Sequence, residues 1–187
     1  NPEIAFSYEG GLRVALGFLK IQASCFVREG NNIIDWTRAD ESLPWQPNNL
    51  IQLNTNGVDL DANWQPITIS FIHSLGVGYS YLNQETGVED GLLSKYALEN
   101  LNHQFTSFVA LKYHKNITHS LNYRYTDRVN LDDYSILDTK LAYDNGKVLI
   151  YGEIANLFDQ KYRETNLVVM PGRWFRIGVG CTLNKLK

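Results

Sequence analysis

Residues Arg173 to Leu183 read RWFRIGVGCTL, and their order has a period of two. Phe175, Ile177, Val179, Cys181 and Leu183 are apolar, whereas Trp174, Arg176, Gly178, Gly180 and Thr182 between them are polar, small or amphipathic. Successive side chains of a strand point to opposite faces, so this segment predicts a strand with one apolar and one mixed face. A soluble sheet turns its apolar face to a protein core, and a membrane barrel turns it to lipid. The choice of solvent constrains every further reading of the chain.

The pattern recurs. Ile4, Phe6, Tyr8, Leu12 and Val14 alternate with Ser7, Glu9 and Arg13, and Leu19, Ile21, Ala23, Cys25 and Val27 alternate with Lys20, Gln22, Ser24 and Arg28. Val58, Leu60, Ala62 and Trp64 alternate with Asp59, Asp61, Asn63 and Gln65. From Ile67, the set Ile67, Ile69, Phe71, Leu75, Val77, Tyr79 and Tyr81 opposes Thr68, Ser70, Ser74, Gly76, Gly78 and Ser80, with Ile72 and His73 out of pattern. Leu121, Tyr123 and Tyr125 oppose Ser120, Asn122 and Arg124, and Leu137, Leu141 and Tyr143 oppose Asp138, Lys140 and Asp144. Two less regular strands cover 105–113 and 147–158. The expectation is an all-β, antiparallel, up-and-down meander of about nine strands without helices.

Average composition does not reveal the solvent. Hydrophobic residues are 44% and mean hydropathy is −0.27, ordinary values for a soluble chain of 187 residues. A membrane barrel gives the same averages, because only alternate residues meet lipid. No run reaches the roughly 18 apolar residues of a spanning helix, so helical membrane architecture is excluded. With a net charge of −3 and no basic tract, nothing points to nucleic acid. Cys25 and Cys181 each sit in an apolar alternation and are expected as separate thiols.

The connections discriminate better. Short gaps at 15–18, 65–67, 115–117 and 144–146 alternate with longer ones at 39–49, 84–98, 128–134 and 159–172. Asn145–Gly146 is a strong two-residue hairpin signal, since both positions of that turn need positive φ. Tight turns on one side and extended loops on the other are expected of an outer-membrane barrel. The charges Glu9, Arg13, Lys20, Arg28, Asp59, Asp61, Lys112, Arg124, Asp138, Lys140 and Arg176 all fall opposite the apolar face, as lumen residues would. Nine is an odd number, and bacterial single-chain barrels have even ones, so the chain is expected to be part of a larger barrel.

Other motifs have plainer explanations. Asp59, Asp61 and Asn63 imitate the start of a calcium loop, but Trp64 stands where its glycine is required, and strand alternation explains the spacing. His73, His103, His114 and His119 lack zinc spacing, and no metal or cofactor is expected. His73 and Ser74 are adjacent, so on a strand they point to opposite faces, against a barrel-wall hydrolase. Trp36, Trp45, Tyr81, Tyr96, Tyr125, Tyr134, Tyr162 and Trp174 fall near strand ends, where girdle or loop packing is expected.

YGEIANLFDQKYRE (Tyr151 to Glu164) followed by MPGRWFRIGVGCTL (Met170 to Leu183) closely resembles the C-terminal end of TonB-dependent outer-membrane receptors. REGNNIIDW from Arg28 and NTNGVDLDANW from Asn54 resemble a strand pair of the same family, and NIIDW is similar to its cobalamin-receptor-like members. The resemblance implies that residues 1–187 form the C-terminal segment of a 22-stranded barrel, with earlier strands and a plug domain lying upstream. It implies uptake of a siderophore, cobalamin or similar scarce small-molecule nutrient, energised by the TonB complex through an N-terminal region, in the cell outer membrane. The chain ends on Lys187, where the family commonly ends on an aromatic residue.

Within that frame Phe175, Ile177, Val179 and Cys181 are expected to face lipid, with Cys181→Arg costing roughly 2–4 kcal/mol near the midplane. Trp36, Arg38, Trp45, Arg128, Lys161 and Arg163 are the expected substrate-binding residues of the outer loops, with Asp40, Glu41, Asp90, Lys95 and Glu164 alongside. No catalytic residue is expected. Two rival readings are a soluble, secreted all-β binding module and an outer-membrane barrel enzyme using Ser74 or His73.

Overall fold

The structure, a computed structural model, describes residues 2–67, 69, 71–86, 92–94, 101–129, 131–165 and 168–182. Thr68, Ser70, Asp90, Lys95, Tyr96, Leu183 and Lys187 lie outside the described residues. The elements are β1 (Ile4–Ala15), β2 (Leu19–Arg38), β3 (Gln46–Trp64), β4 (Ile72–Thr86), β5 (Leu93–Ser94), β6 (Leu101–His114), β7 (Ile117–Arg128), β8 (Leu131–Asp144), β9 (Val148–Ala155), β10 (Arg163–Thr165), β11 (Val168–Val169) and β12 (Trp174–Cys181). Nine of them form an antiparallel meander in the order β1-β2-β3-β4-β6-β7-β8-β9-β12, as the alternation predicts. β5 adds to β2, and β10 pairs with β11 as a separate ribbon. β1 and β12 do not pair with each other, so the sheet is open among the described residues.

Register fixes the faces. Leu12, Ala23, Leu60, Tyr79, Phe105 and Tyr125 are cross-strand partners in one row. Arg13, Gln22, Asp61, Gly78, Thr106 and Arg124 form the adjacent row on the other face. The burial is inside out. Ala110, Tyr134 and Ile136 are the buried apolar side chains among the described residues, with Tyr134 at 4% and Ile136 at 5% exposure. All three share the charged face, paired with Ser120, Thr126 and Arg124. The apolar face carries Ile177 at 83% and Val179 at 73% exposure. The charged face, where the buried side chains lie, is the concave side, and it holds a groove of about 450 Å³ lined by Asp61, Asn63, Asn122, Arg124 and Asp138.

The strands run further than the sequence pattern predicts. β3 starts at Gln46, four residues inside the expected 39–49 gap, and leaves 39–45 as connection, while β2 runs on to Arg38, so Trp36 and Arg38, expected in an outer loop, are strand residues. β2 has 20 residues, about 65 Å at roughly 3.3 Å per residue, whereas a tilted membrane strand needs about 10. The 128–134 gap shrinks to 129–130, because hydrogen bonding carries both strands past the pattern's end. In the opposite sense, Ile67, Ile69 and Phe71 belong to the 65–71 connection, and β4 begins at Ile72. The irregularity at Ile72 and His73 is a register shift between Ile72 and Ser74, a bulge where the extra residue leaves the ladder. The strict alternation of short and long gaps therefore gives way to an asymmetry carried mainly by strand overshoot.

At the tight end, Gly17 and Gly146 take φ of 69° and 83°, values that suit glycine. Asp144 accepts from the Gly146 amide, and Asn145 accepts from Lys147 and Val148; the turn spans 145–147 and only Gly146 in it has positive φ, so the expected two-residue turn with both positions positive is replaced by one held through side-chain oxygens.

Candidate functional site

The long-connection end carries two groups of candidate residues. In the first, the Arg38 guanidinium lies over the Trp45 ring, 4.4 Å from its centroid, and donates to the Glu41 carbonyl at 2.8 Å. β5 holds this tip by pairing Thr37 with Ser94 and Arg38 with Leu93. Asn48 donates to Thr37 Oγ1 at 2.6 Å. The Asp40 carboxylate accepts from the Ser42 hydroxyl and amide, which hold it below its ordinary pKa. Trp36, two residues before Arg38 on β2, is exposed. The structure thus brings Arg38 and Trp45 together on a hairpin tip.

The second group is built by the 156–173 connection. Asn156, in the left-handed region at φ 51°, donates to the Gln160 carbonyl at 2.8 Å and accepts from its amide at 2.9 Å. Its own amide donates to Asp138 Oδ1 at 2.7 Å. Asp159, at φ 57°, accepts from the Arg173 amide at 2.7 Å and so joins the two ends of the connection. A Cβ on Gly172 would strike that carboxylate, which is the physical reason for glycine in PGR. The NLFD and PGR signatures therefore form one closed knuckle at the end of β9 and the start of β12.

Beyond the knuckle the chain folds back onto the concave wall. Lys161 and Arg163 line a cavity of about 720 Å³ with Asp132, Asp133, Tyr134 and Tyr162. Arg128 ends β7 and pairs with Leu131, another residue of that lining. Glu164 accepts from Arg124 at 3.2 Å and from the Tyr134 hydroxyl at 3.3 Å. The Tyr134 and Tyr162 ring centroids are 4.4 Å apart. Burial pushes the Tyr162 phenol up, against a smaller opposing pull from Arg124, and the negative charge of Glu164 adds to the rise. Of the girdle and loop-packing roles expected of Tyr134, the structure shows the second: it is a buried residue of the concave face, sharing parity with Ile136, Asp138 and Lys140, and packs on the 156–173 connection.

Phe175, Ile177, Val179 and Cys181 share the apolar face and are all exposed. Their β9 partners are Ile154, Gly152, Ile150 and Val148. Cys181 lies at the tight-turn rim, because Val148 follows the 145–147 turn directly and the Thr182 amide donates to Lys147. Ile177 lies four residues further from that turn on the same face. Both thiols, Cys25 and Cys181, are free and exposed.

A curated relative, the Vitamin B12 transporter BtuB of Vibrio vulnificus (strain YJ016), is 26% identical over 170 residues, covering 87% of this chain and 26% of its own length. Among solved structures, the copper transporter OprC superposes with a TM-score of 0.77 at 16% identity, covering 97% of this chain and 32% of its own. The FrpB iron transporter from Neisseria meningitidis (F3-3 variant) gives 0.73 at 17% identity, covering 95% and 31%. This chain therefore spans between a quarter and a third of the length of these relatives, and the two superpositions establish the fold. The family model described as TonB dependent receptor-like, beta-barrel, matches residues 1–157, and the chain belongs to the TonB-dependent receptor β-barrel family.

Proposed function

We propose that residues 1–187 are the C-terminal segment of the barrel wall of a TonB-energised outer-membrane receptor that imports a scarce small-molecule nutrient. The observation that carries this reading is the inverted burial. A sheet whose charged face holds Tyr134 and Ile136 while Ile177 and Val179 stand in the open is built for lipid outside and polar matter inside. Hydrocarbon cannot satisfy the free ladder groups of β1 and β12, each orphan costing several kcal/mol. Further strands of the same protein close the barrel between those edges.

Phe175, Ile177, Val179 and Cys181 face lipid. The charged concave wall faces a plug domain supplied by the same protein, and Trp36, Arg38, Trp45, Arg128, Lys161 and Arg163 at the outer end meet the nutrient. A siderophore, cobalamin or another metal chelate fits this class, in keeping with the vitamin, iron and copper transporters it resembles. No covalent chemistry is assigned.

The test is an immunoblot of fractionated cells with an antibody against the 159–172 segment. The expected result is an outer-membrane band well above the 21.4 kDa of these residues. A soluble band at 21.4 kDa would show that the apolar face meets protein and would remove the uptake reading.

A further inference from the structure

Two cavities meet at one ion pair. The larger, about 720 Å³, lies among Asp132, Tyr134, Lys161, Tyr162 and Arg163. The smaller, about 450 Å³, lies on the concave wall and includes Arg124, Ile136 and Asp138. Tyr134 and Ile136 are alternate residues of β8, so the two spaces adjoin along one face. Glu164 bridges a residue of each, accepting from Arg124 at 3.2 Å and from Tyr134 at 3.3 Å. Tyr162 adds its ring to Tyr134, and the Arg124 guanidinium lies 5.8 Å from the Tyr134 centroid. The knuckle at Asn156, Asp159 and Arg173 fixes the base of this connection independently of Glu164.

We propose that Glu164 is a latch that holds the 161–165 segment against Arg124 and closes the outer cavity from the inner groove, and that an anionic group on a ligand opens it by replacing Glu164 on Arg124. The replacement follows from chemistry: only an acceptor of matching charge recovers the charge-assisted hydrogen bond that a guanidinium loses when its carboxylate leaves. The pair is suited to release. Its side chains are 38% and 32% exposed, so the displaced Glu164 is hydrated and exchange costs little. Tyr134, whose backbone is held by the Thr126 pairing within the wall, remains as a fixed post against which the segment closes again. The cations Lys161 and Arg163 line the outer cavity on the moving segment, while Asp132 and Asp133 stand on the wall opposite. An anion entering there meets the segment's cations before it reaches Arg124. The ligand role rests on the receptor reading above; the latch itself does not.

Hydrogen exchange of the purified full-length receptor in detergent, read by mass spectrometry on peptides covering 160–165, tests it. Glu164→Gln keeps the size and the Tyr134 acceptor but removes the charge. It should speed exchange of this segment roughly threefold to fivefold, the range of one partly exposed pair, with β7 to β9 unchanged. The double reversal Arg124→Glu with Glu164→Arg should return the slow rate. Inorganic phosphate should speed exchange of the wild type beyond chloride at matched ionic strength, and should leave Glu164→Gln unaffected. Equal exchange in wild type and Glu164→Gln, or failure of the reversal, overturns the latch. Phosphate acting no better than chloride overturns the displacement. Since exchange is read without transport, either failure leaves the uptake reading standing, and a soluble 21.4 kDa band would remove that reading while leaving the latch result intact.

Discussion

Replacing Ile177 by arginine separates lipid from water as the solvent of the apolar face. Ile177 is 83% exposed, and its β9 partner is Gly152, which offers no side chain to cover it. Cys181, paired with Val148 beside the 145–147 turn, marks the rim. Four residues back is about 13 Å along the strand at roughly 3.3 Å per residue, which a tilt of about 40° turns into roughly 10 Å of depth. In an apolar band about 25 Å tall that is close to the midplane, where an arginine costs roughly 2–4 kcal/mol; at the rim it costs about 0–1 kcal/mol. Ile177→Arg should therefore lower stability by about 2–4 kcal/mol, Cys181→Arg by about 1 kcal/mol or less, and Arg176→Ser, on the concave face, by a similarly small amount. The assay is a guanidinium titration of the full-length receptor refolded into lipid bilayers. In water an isoleucine this exposed could be replaced within about 0.5 kcal/mol. Equal costs for Ile177→Arg and Arg176→Ser would refute the facing, and a Cys181→Arg cost matching that of Ile177→Arg would refute the depth.

Three further outcomes follow from local geometry. Gly178→Ala drives a Cβ into the Tyr151 ring, which lies beneath the Lys140 ammonium at 4.2 Å, and should cost about 1–3 kcal/mol in the same titration, whereas Gly152→Ala meets nothing within 4 Å and should cost under about 0.5 kcal/mol. Asp159→Ala removes the acceptor of the Arg173 amide and strains a φ of 57°, so limited proteolysis within 156–173 should accelerate by at least about tenfold, while Asp159→Asn, which tolerates that φ and keeps an oxygen, should stay near wild type. Burial raises the Tyr162 pKa, so docking of this phenol favours the neutral form; its contribution is complete below the unfolded value of about 10 and is lost as pH rises through the folded value. The phenolate absorbance difference between wild type and Tyr162→Phe should appear above about pH 10, and a transition at or below that value would contradict the docking.

The strand faces were legible because side-chain period is a local property. Glu9, Arg13, Asp59, Asp61, Arg124, Asp138, Lys140 and Arg176 were all read onto the face where register places them, since each needs only its own parity. Boundaries were less legible. The pattern stops at Val27 in β2, yet pairing of Gly30 with Leu53 and Thr37 with Gln46 carries the ladder onward, because backbone hydrogen bonding between two strands asks nothing of side-chain alternation. Conversely, Ile67, Ile69 and Phe71 alternate ahead of β4, and of the three only Phe71 touches the ladder among the described residues, its carbonyl accepting from the Lys112 amide. Among the site residues, Lys161 and Arg163 were named from charge and position alone. Their neighbours were read only as a lumen charge, Arg124, and a girdle or loop-packing ring, Tyr134, because contact across the fold of the 156–173 connection leaves no trace in spacing.

The sequence by itself determined an all-β meander of nine strands with one apolar and one charged face, because each residue's face depends only on its place in a two-residue period. The tertiary structure alone decided which charges meet, as when Glu164 reaches Arg124 and Arg38 reaches Trp45. It also decided how deep each apolar residue lies, as with Ile177 and Cys181 on one strand. Depth and contact are set by stagger between strands and by the path of the connections, and these are properties of the assembled sheet rather than of any segment within it.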